Sequence, residues 1–212
     1  MRIGVLGAGN LGATAARLFV DAGHEVAIAG SRGPERLGGV VAQLGPRAHA
    51  ATVEEAAAFG DLVLLAIPFR RYRELPPAAL SGKVVIDAMN DYEADGDAEL
   101  TSSERVAAHL GESRVVKAFN TMYWKLLRDR CRPPGAEDRL VLFLAGDDPG
   151  AKARAALLIE EVGFTAVDTG GLADGARRQQ PGAPIYTELA RRRREGDEPP
   201  GFTQRDAALA LA

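Results

Sequence analysis

An α/β fold, with a largely parallel sheet covered by helices on both faces, is predicted by three observations. Short apolar runs recur along the 212 residues, most of them closed by glycine, proline or asparagine. Ala- and Leu-rich segments at helical spacing separate these runs, the alternation expected of parallel strands joined by crossover helices. The first run leads straight into Gly7-Ala8-Gly9-Asn10-Leu11-Gly12, a glycine-rich junction between a strand and a helix.

Ile3–Leu6 is long enough for a buried strand, and Gly7, Gly9 and Gly12 then fit G-x-G-x-x-G. In that context each glycine has a task. Gly7 permits the tight turn, Gly9 lets backbone approach a pyrophosphate, and Gly12 allows the helix to pack closely on the strand. Asn10 and Leu11 lie within this turn, and the N-terminal N–H groups and dipole of the helix that follows favour phosphate. The predicted architecture is a single Rossmann-like, doubly wound, mostly parallel sheet.

A helix over 13–22, with Ala15, Ala16, Leu18 and Phe19 on its apolar face, stops at Gly23. The second strand, 26–29, ends in Gly30-Ser31-Arg32, with Arg36 one helical turn on. An NAD site carries an acidic residue at this strand end to bind the ribose 2′-hydroxyl. Here a hydroxyl and guanidinium groups stand instead, suited to the oxygens of a 2′-phosphate, so NADP is preferred over NAD. Pro34 suits the first turn of a helix running to about Leu44.

A weak third strand covers 47–51, and Thr52 with Glu55 forms a capping box for a short Ala-rich helix. The strand 61–67 ends at Pro68, which sends the loop across the sheet's carboxyl edge, where ligands of open α/β sheets bind. Further strands are read at 83–87, 114–119, 139–145 and 164–168, giving about eight in all. Helices open at Thr101-Ser102-Ser103-Glu104, Met122 and Asp147-Asp148-Pro149. The acidic loop 93–97 lacks the twelve-residue calcium pattern and reads as solvated. Residues 1–170 are expected to form an NADP-binding domain. Residues 171–212, with helical pieces over 185–194 and 203–211, form a short C-terminal helical extension serving the substrate pocket or a dimer contact.

Composition narrows the function. The formal charge of -3 gives no reason to expect nucleic acid or an anionic membrane as partner. The single Cys131 leaves no internal disulfide or cysteine-rich metal site, no metal is expected, and a cytoplasmic location fits. The first strand follows Met1 too closely for a signal peptide, and no run is long enough to span a membrane.

The ordered set Gly7–Gly12, Gly30-Ser31-Arg32, Ala66-Ile67-Pro68, Val116-Lys117-Ala118-Phe119-Asn120-Thr121, Ala145-Gly146-Asp147-Asp148 and Gly163–Asp168 resembles the F420:NADP oxidoreductase family. These are NADPH-dependent reductases that use the deazaflavin coenzyme F420. The resemblance runs to about Tyr186. It implies that Ser31, Arg32 and Arg36 hold the 2′-phosphate, and that Ala66, Ile67, Pro68 and Tyr72 line the cofactor cleft with Ala8. Ala118 and Asn120 would lie near the nicotinamide with Asn90 across the cleft, the two asparagines being the catalytic candidates. Hydride would pass directly between NADP(H) and F420, with no general acid required, and a homodimer is expected.

Two other readings remain open from the residues. A small imine or carbonyl acceptor would want a proton donor, for which Tyr92, Tyr123, Lys117 and Asp91 are candidates. A non-catalytic NADP(H)-binding sensor is the third. Arg177 and Arg178 either bind an anionic group or are solvated.

Overall fold

The computed structural model describes residues 1–93, 99–188 and 201–211. The strands are β1 (Arg2–Leu6), β2 (Glu25–Ala29), β3 (Ala48–Ala51), β4 (Leu62–Leu65), β5 (Val84–Asp87), β6 (Arg114–Ala118), β7 (Val141–Gly146) and β8 (Thr165–Asp168). The labelled helices are α1 (Asn10–Asp21), α2 (Gly38–Leu44), α3 (Val53–Phe59), α4 (Pro77–Leu80), α5 (Ser102–Leu110), α6 (Trp124–Asp129) and α7 (Pro149–Glu161). The strands make one sheet in the order β3-β2-β1-β4-β5-β6-β7-β8. β1 to β6 are mutually parallel. β7 runs antiparallel to β6, and β8 is parallel to β7. The sheet is therefore the mostly parallel, Rossmann-like one expected, with its direction reversed over the last two strands.

Period-two alternation explains why both faces are apolar. In β4, Leu62 and Leu64 join the core beneath α1, α2, α6 and α7, whereas Val63 and Leu65 face α3, α4 and α5. All four are fully buried, as a strand covered on both sides requires. Thr52 and Thr101 cap α3 and α5 through complete capping boxes with Glu55 and Glu104.

Several boundaries differ from the sequence reading for local reasons. α1 begins at Asn10, directly after the turn, rather than at 13. The helix expected from Pro34 splits into a 3-10 turn, Pro34–Arg36, and α2. Gly38 and Gly39 are poor helix formers and the buried Leu37 breaks the run. β4 stops at Leu65, because the chain must leave the ladder before Pro68, which has no N–H to give it.

The C-terminal part packs back on its own chain. Residues 184–188 are helical, and Gln204–Leu211 forms the last helix. Ile185, Phe202 and Ala207 pack against Val141 and Phe143. The Phe143 and Phe202 rings meet edge to face at 5.2 Å, and Val141 N–H donates to the Phe202 carbonyl at 2.7 Å. The remainder of the helix expected over 185–194, and most of the acidic loop after Glu93, lie outside the described residues. Among the described residues no helix is long and apolar enough to cross a membrane.

Candidate active site

The strand order places β2 and β4 on either side of β1, so successive crossovers leave β1 in opposite directions and open a crevice at the carboxyl edge. A cleft of about 700 Å³ occupies it. Its walls are three strand ends: Leu6–Gly9 after β1, Ala29–Gly33 after β2, and Ala66–Pro68 after β4. Arg36, Leu37, Val40, Val53, Glu54, Arg70, Arg71, Glu74 and Leu75 complete them.

The glycine turn has the geometry its residues dictate. Gly7 adopts φ 119°, and a Cβ there would strike the Ala66 carbonyl. A Cβ on Gly12 would strike the carbonyl of Gly7, so α1 leaves the strand in direct backbone contact with it. Around Gly9, by contrast, a Cβ would meet nothing within 4 Å. Gly9 is the N-cap of α1, no side chain caps it, and the first turn carries no acid. The free N–H groups of this helix end suit a pyrophosphate.

Charge is distributed unevenly around this cleft. Arg71 donates to Glu74 at 2.9 Å and holds that exposed carboxyl below the usual range. The guanidinium groups of Arg32, Arg36 and Arg70 have no carboxylate or hydrogen-bond partner among the described residues. Ser31 and Arg32 are exposed beside Gly33, and Glu35, also exposed, does not line the cleft. These groups fit an anion at the end of β2.

A second cleft of about 650 Å³ adjoins the first, sharing Pro68 and Arg70. Phe69, Tyr72, Arg73, Asn90, Asp91, Tyr92, Glu93 and Arg105 form the rest of its wall. Asp91 is ion-paired with Arg105, whose guanidinium lies 4.7 Å from the Phe69 ring centre. Asn90 Nδ2 donates to the Asn120 carbonyl at 3.0 Å, and Asn120 Nδ2 donates to Asn90 Oδ1 at 3.2 Å. Asn120 Nδ2 also donates to the Gln179 carbonyl at 3.0 Å. Both N–H bonds of this amide are thereby committed. Its Oδ1 is a buried acceptor with no partner among the described residues.

Not every residue singled out from sequence lies in the first cleft. Gly7, Ala8, Gly9, Ser31, Arg32, Arg36, Ala66, Ile67 and Pro68 line it. Asn10, Leu11 and Gly12 do not, since α1 carries them away from the turn. Tyr72 sits instead in the wall of the second cleft, stacked on Phe69 at 4.9 Å and edge-on to His109. The 3-10 turn Phe69–Glu74 rotates its ring into the core. Ala118 is fully buried within β6 and lines neither cleft, because the alternation of β6 turns it inward. Arg177 Nη2 is bonded to the Glu99 carbonyl at 2.9 Å, and neither it nor Arg178 lines a cleft. Of the four candidate proton donors, Tyr92 and Asp91 face the second cleft and Lys117 and Tyr123 face neither. The sequence motifs do not single out Arg70 or Arg105, which line the second cleft. Arg70 follows the strand-ending Pro68 and was detectable as a cation at the carboxyl edge, whereas Arg105 comes from α5 with no local signal. Among the described residues no group of three His, Cys, Asp or Glu side chains could hold a metal.

Against known proteins, residues 2–91 match the sequence model of the family described as NADP oxidoreductase, coenzyme F420-dependent. The hypothetical protein SMa0349 of Sinorhizobium meliloti is 32% identical, with 87% of this chain and 92% of that one covered and a TM-score of 0.76. A protein of Arthrobacter sp. FB24, provisionally named an F420-dependent NADP-reductase, is 26% identical, with coverage of 96% and 98% and a TM-score of 0.79. An imine reductase from Pseudomonas sp., 20% identical, shares the fold over 90% of this chain and 60% of its own length, with a TM-score of 0.65. No curated protein gives a significant match. The chain belongs to the family of coenzyme F420-dependent NADP oxidoreductases.

Proposed function

We propose that this member of the family transfers a hydride between NADP(H), held in the first cleft, and the deazaflavin coenzyme F420, received in the second. The observation that carries the reading is the meeting of the two clefts at Pro68 and Arg70, beside the paired asparagines. A hydride donor in one and an acceptor in the other would face each other across that boundary.

The residues present fit NADP(H). The open space above Gly9 and the uncapped end of α1 accept the pyrophosphate. Ser31, Arg32 and Arg36, with no anionic partner of their own, bind the 2′-phosphate. Ala66, Ile67 and Pro68 bound the cofactor on the β4 side. When bound, NADP(H) supplies the hydride from its nicotinamide, and the protein contributes position and exclusion of water. Asn90, in the wall of the second cleft, orients the acceptor, and the buried Asn120, which lines neither cleft, holds Asn90 from behind. By the same reading residues 1–170 form the cofactor-binding domain. The following segment completes the acceptor side through Gln179, which holds Asn120.

A small imine or carbonyl acceptor is the second reading. Tyr92 favours it: its hydroxyl stands on the second cleft, 3.1 Å from that of Tyr186, where it could donate a proton. Anaerobic mixing with NADPH and oxidised F420, followed by the deazaflavin absorbance, tests the first reading. Bleaching at the expense of NADPH is expected. Tight NADPH binding without hydride transfer would overturn it in favour of an organic acceptor or a sensor.

A further inference from the structure

We propose that Lys117 is a positioning residue of the second cleft, acting with Asp87 to fix the segment that carries Asn90. The inference rests on the reading of that cleft as the acceptor's site.

Lys117 and Asp87 face each other in the register of β5 and β6, with side chains 1% and 0% exposed. The Asp87 carboxylate accepts from three donors. Met89 N–H reaches Oδ1 at 3.0 Å; Ser103 Oγ and Lys117 Nζ reach Oδ2 at 2.7 and 3.2 Å. Lys117 Nζ also donates to the Met89 carbonyl. Met89 is thus held at both its N–H and its C=O, one end by each partner of the ion pair. The next residue is Asn90.

Three residues beyond Lys117 comes Asn120. Phe119 between them is the one non-glycine residue among those described with positive φ, at 64°. Its ring is fully buried and meets Phe19 edge to face at 6.1 Å, which anchors the strained turn. The same two strand ends therefore deliver both asparagines, one from a clamped turn and one from a strained one.

Stability alone is a poor reason for this ion pair. Bringing two charges out of water costs several kcal/mol per ion, and well-packed apolar replacements of such pairs are often neutral or stabilising. Removing one partner is costly because the other is left buried and uncompensated. What an apolar pair could not do is bond the Met89 backbone from two sides. The arrangement gives a rigid support to the acceptor side without touching the acceptor.

The test uses the charge-free double variant Asp87→Asn/Lys117→Met in the full chain. It keeps an acceptor for Met89 N–H and removes the ammonium from the Met89 carbonyl. Protein loaded with NADP⁺ is titrated with oxidised F420 by equilibrium dialysis, so that no turnover intervenes, and the side-chain amide resonances of Asn90 and Asn120 are followed by NMR. The expected result is a rise of about tenfold in the F420 Kd, a change in NADPH affinity below about twofold, and shifted, faster-exchanging carboxamide signals. Ser103→Ala, which removes one donor and no charge, gives the same split at smaller amplitude and stands in should the double variant fail to fold. Unchanged resonances and unchanged F420 affinity in a folded variant overturn the inference. Asn90→Ala separates the two ideas. If it leaves F420 binding untouched, or if wild-type protein binds no F420, the reading of the cleft fails, and the carboxamide resonances still decide the role of Lys117.

Discussion

Asn90 and Asn120 bond each other reciprocally across the ends of β5 and β6: one carboxamide donates to the partner's backbone carbonyl at 3.0 Å, the other to the partner's side-chain oxygen at 3.2 Å. Each constrains the other; neither lines the first cleft, and only Asn90 lines the second. Asn120→Ala is therefore expected to lower kcat with the deazaflavin about tenfold to a hundredfold while leaving the NADPH Kd within about twofold. Steady-state kinetics and a separate NADPH titration check it. A parallel loss of NADPH affinity would place Asn120 in cofactor binding instead.

At Gly12 the contact is between backbones. A Cβ would drive into the Gly7 carbonyl, and neither the helix nor the turn can move away, because Gly7 is itself pressed against Ala66. Gly12→Ala should destabilise the fold by about 1–3 kcal/mol and weaken NADPH binding through the displaced turn. Urea unfolding with and without NADPH measures both. A variant as stable as wild type, with unchanged NADPH affinity, would mean that α1 relaxes freely.

The fold could be read from sequence because parallel strands buried on both faces appear as unbroken apolar runs, and the glycines mark the first crossover. The walls of the first cleft were legible for the same reason: residues 6–9, 29–33 and 66–68 are strand ends, and strand ends meet at the switch point. The direction of Tyr72 is not legible in the sequence, because it depends on the 3-10 geometry of Phe69–Glu74, which propensity does not reveal. The Asn90–Asn120 pairing rests on positive φ at Phe119, a choice made by tertiary packing against Phe19 and invisible in a six-residue motif. Arg105 reaches Asp91 from a different element, so no spacing rule could have joined them.

His24 supplies a pH dependence far from the clefts. It is buried before β2, with Nδ1 3.3 Å from the Met1 ammonium and Nε2 3.1 Å from a Glu161 carboxylate oxygen. Desolvation first, and then the nearby ammonium, lower its pKa from the ordinary 6.5, and Glu161 only partly offsets them. The neutral ring is favoured in the folded protein, so the unfolded chain takes up the proton first. Stability is then level above about pH 6.5 and falls as pH drops through that value towards the lowered folded one. Urea midpoints between pH 7.5 and 5 should decline in wild type and flatten in His24→Gln. An equal decline in both would assign the effect to other groups. The carboxylates held low by donors, such as Asp61 beside Arg2, act only at more acid pH.

Arg32 is expected to decide which dinucleotide the first cleft prefers. Ser31 and Arg32 close β2 where an NAD site carries a carboxylate, and neither Arg32 nor Arg36 has an anionic partner among the described residues to compete with a ligand phosphate. Exposure reduces what such a contact contributes, but a charge-assisted hydrogen bond still supplies about 1.5–3 kcal/mol, or about tenfold to a hundredfold in affinity. NADPH should therefore bind at least about tenfold more tightly than NADH. Arg32→Ala should weaken NADPH by a similar factor and spare NADH, which has no 2′-phosphate to lose. Calorimetric titration of both nucleotides on both proteins checks the prediction, and added salt should narrow the wild-type preference, since an exposed charge contact is screened. Equal affinities for the two nucleotides in wild type would overturn the assignment of Ser31 and Arg32 to the 2′-phosphate. A uniform loss of both in Arg32→Ala would move the arginine to the shared pyrophosphate or adenine instead.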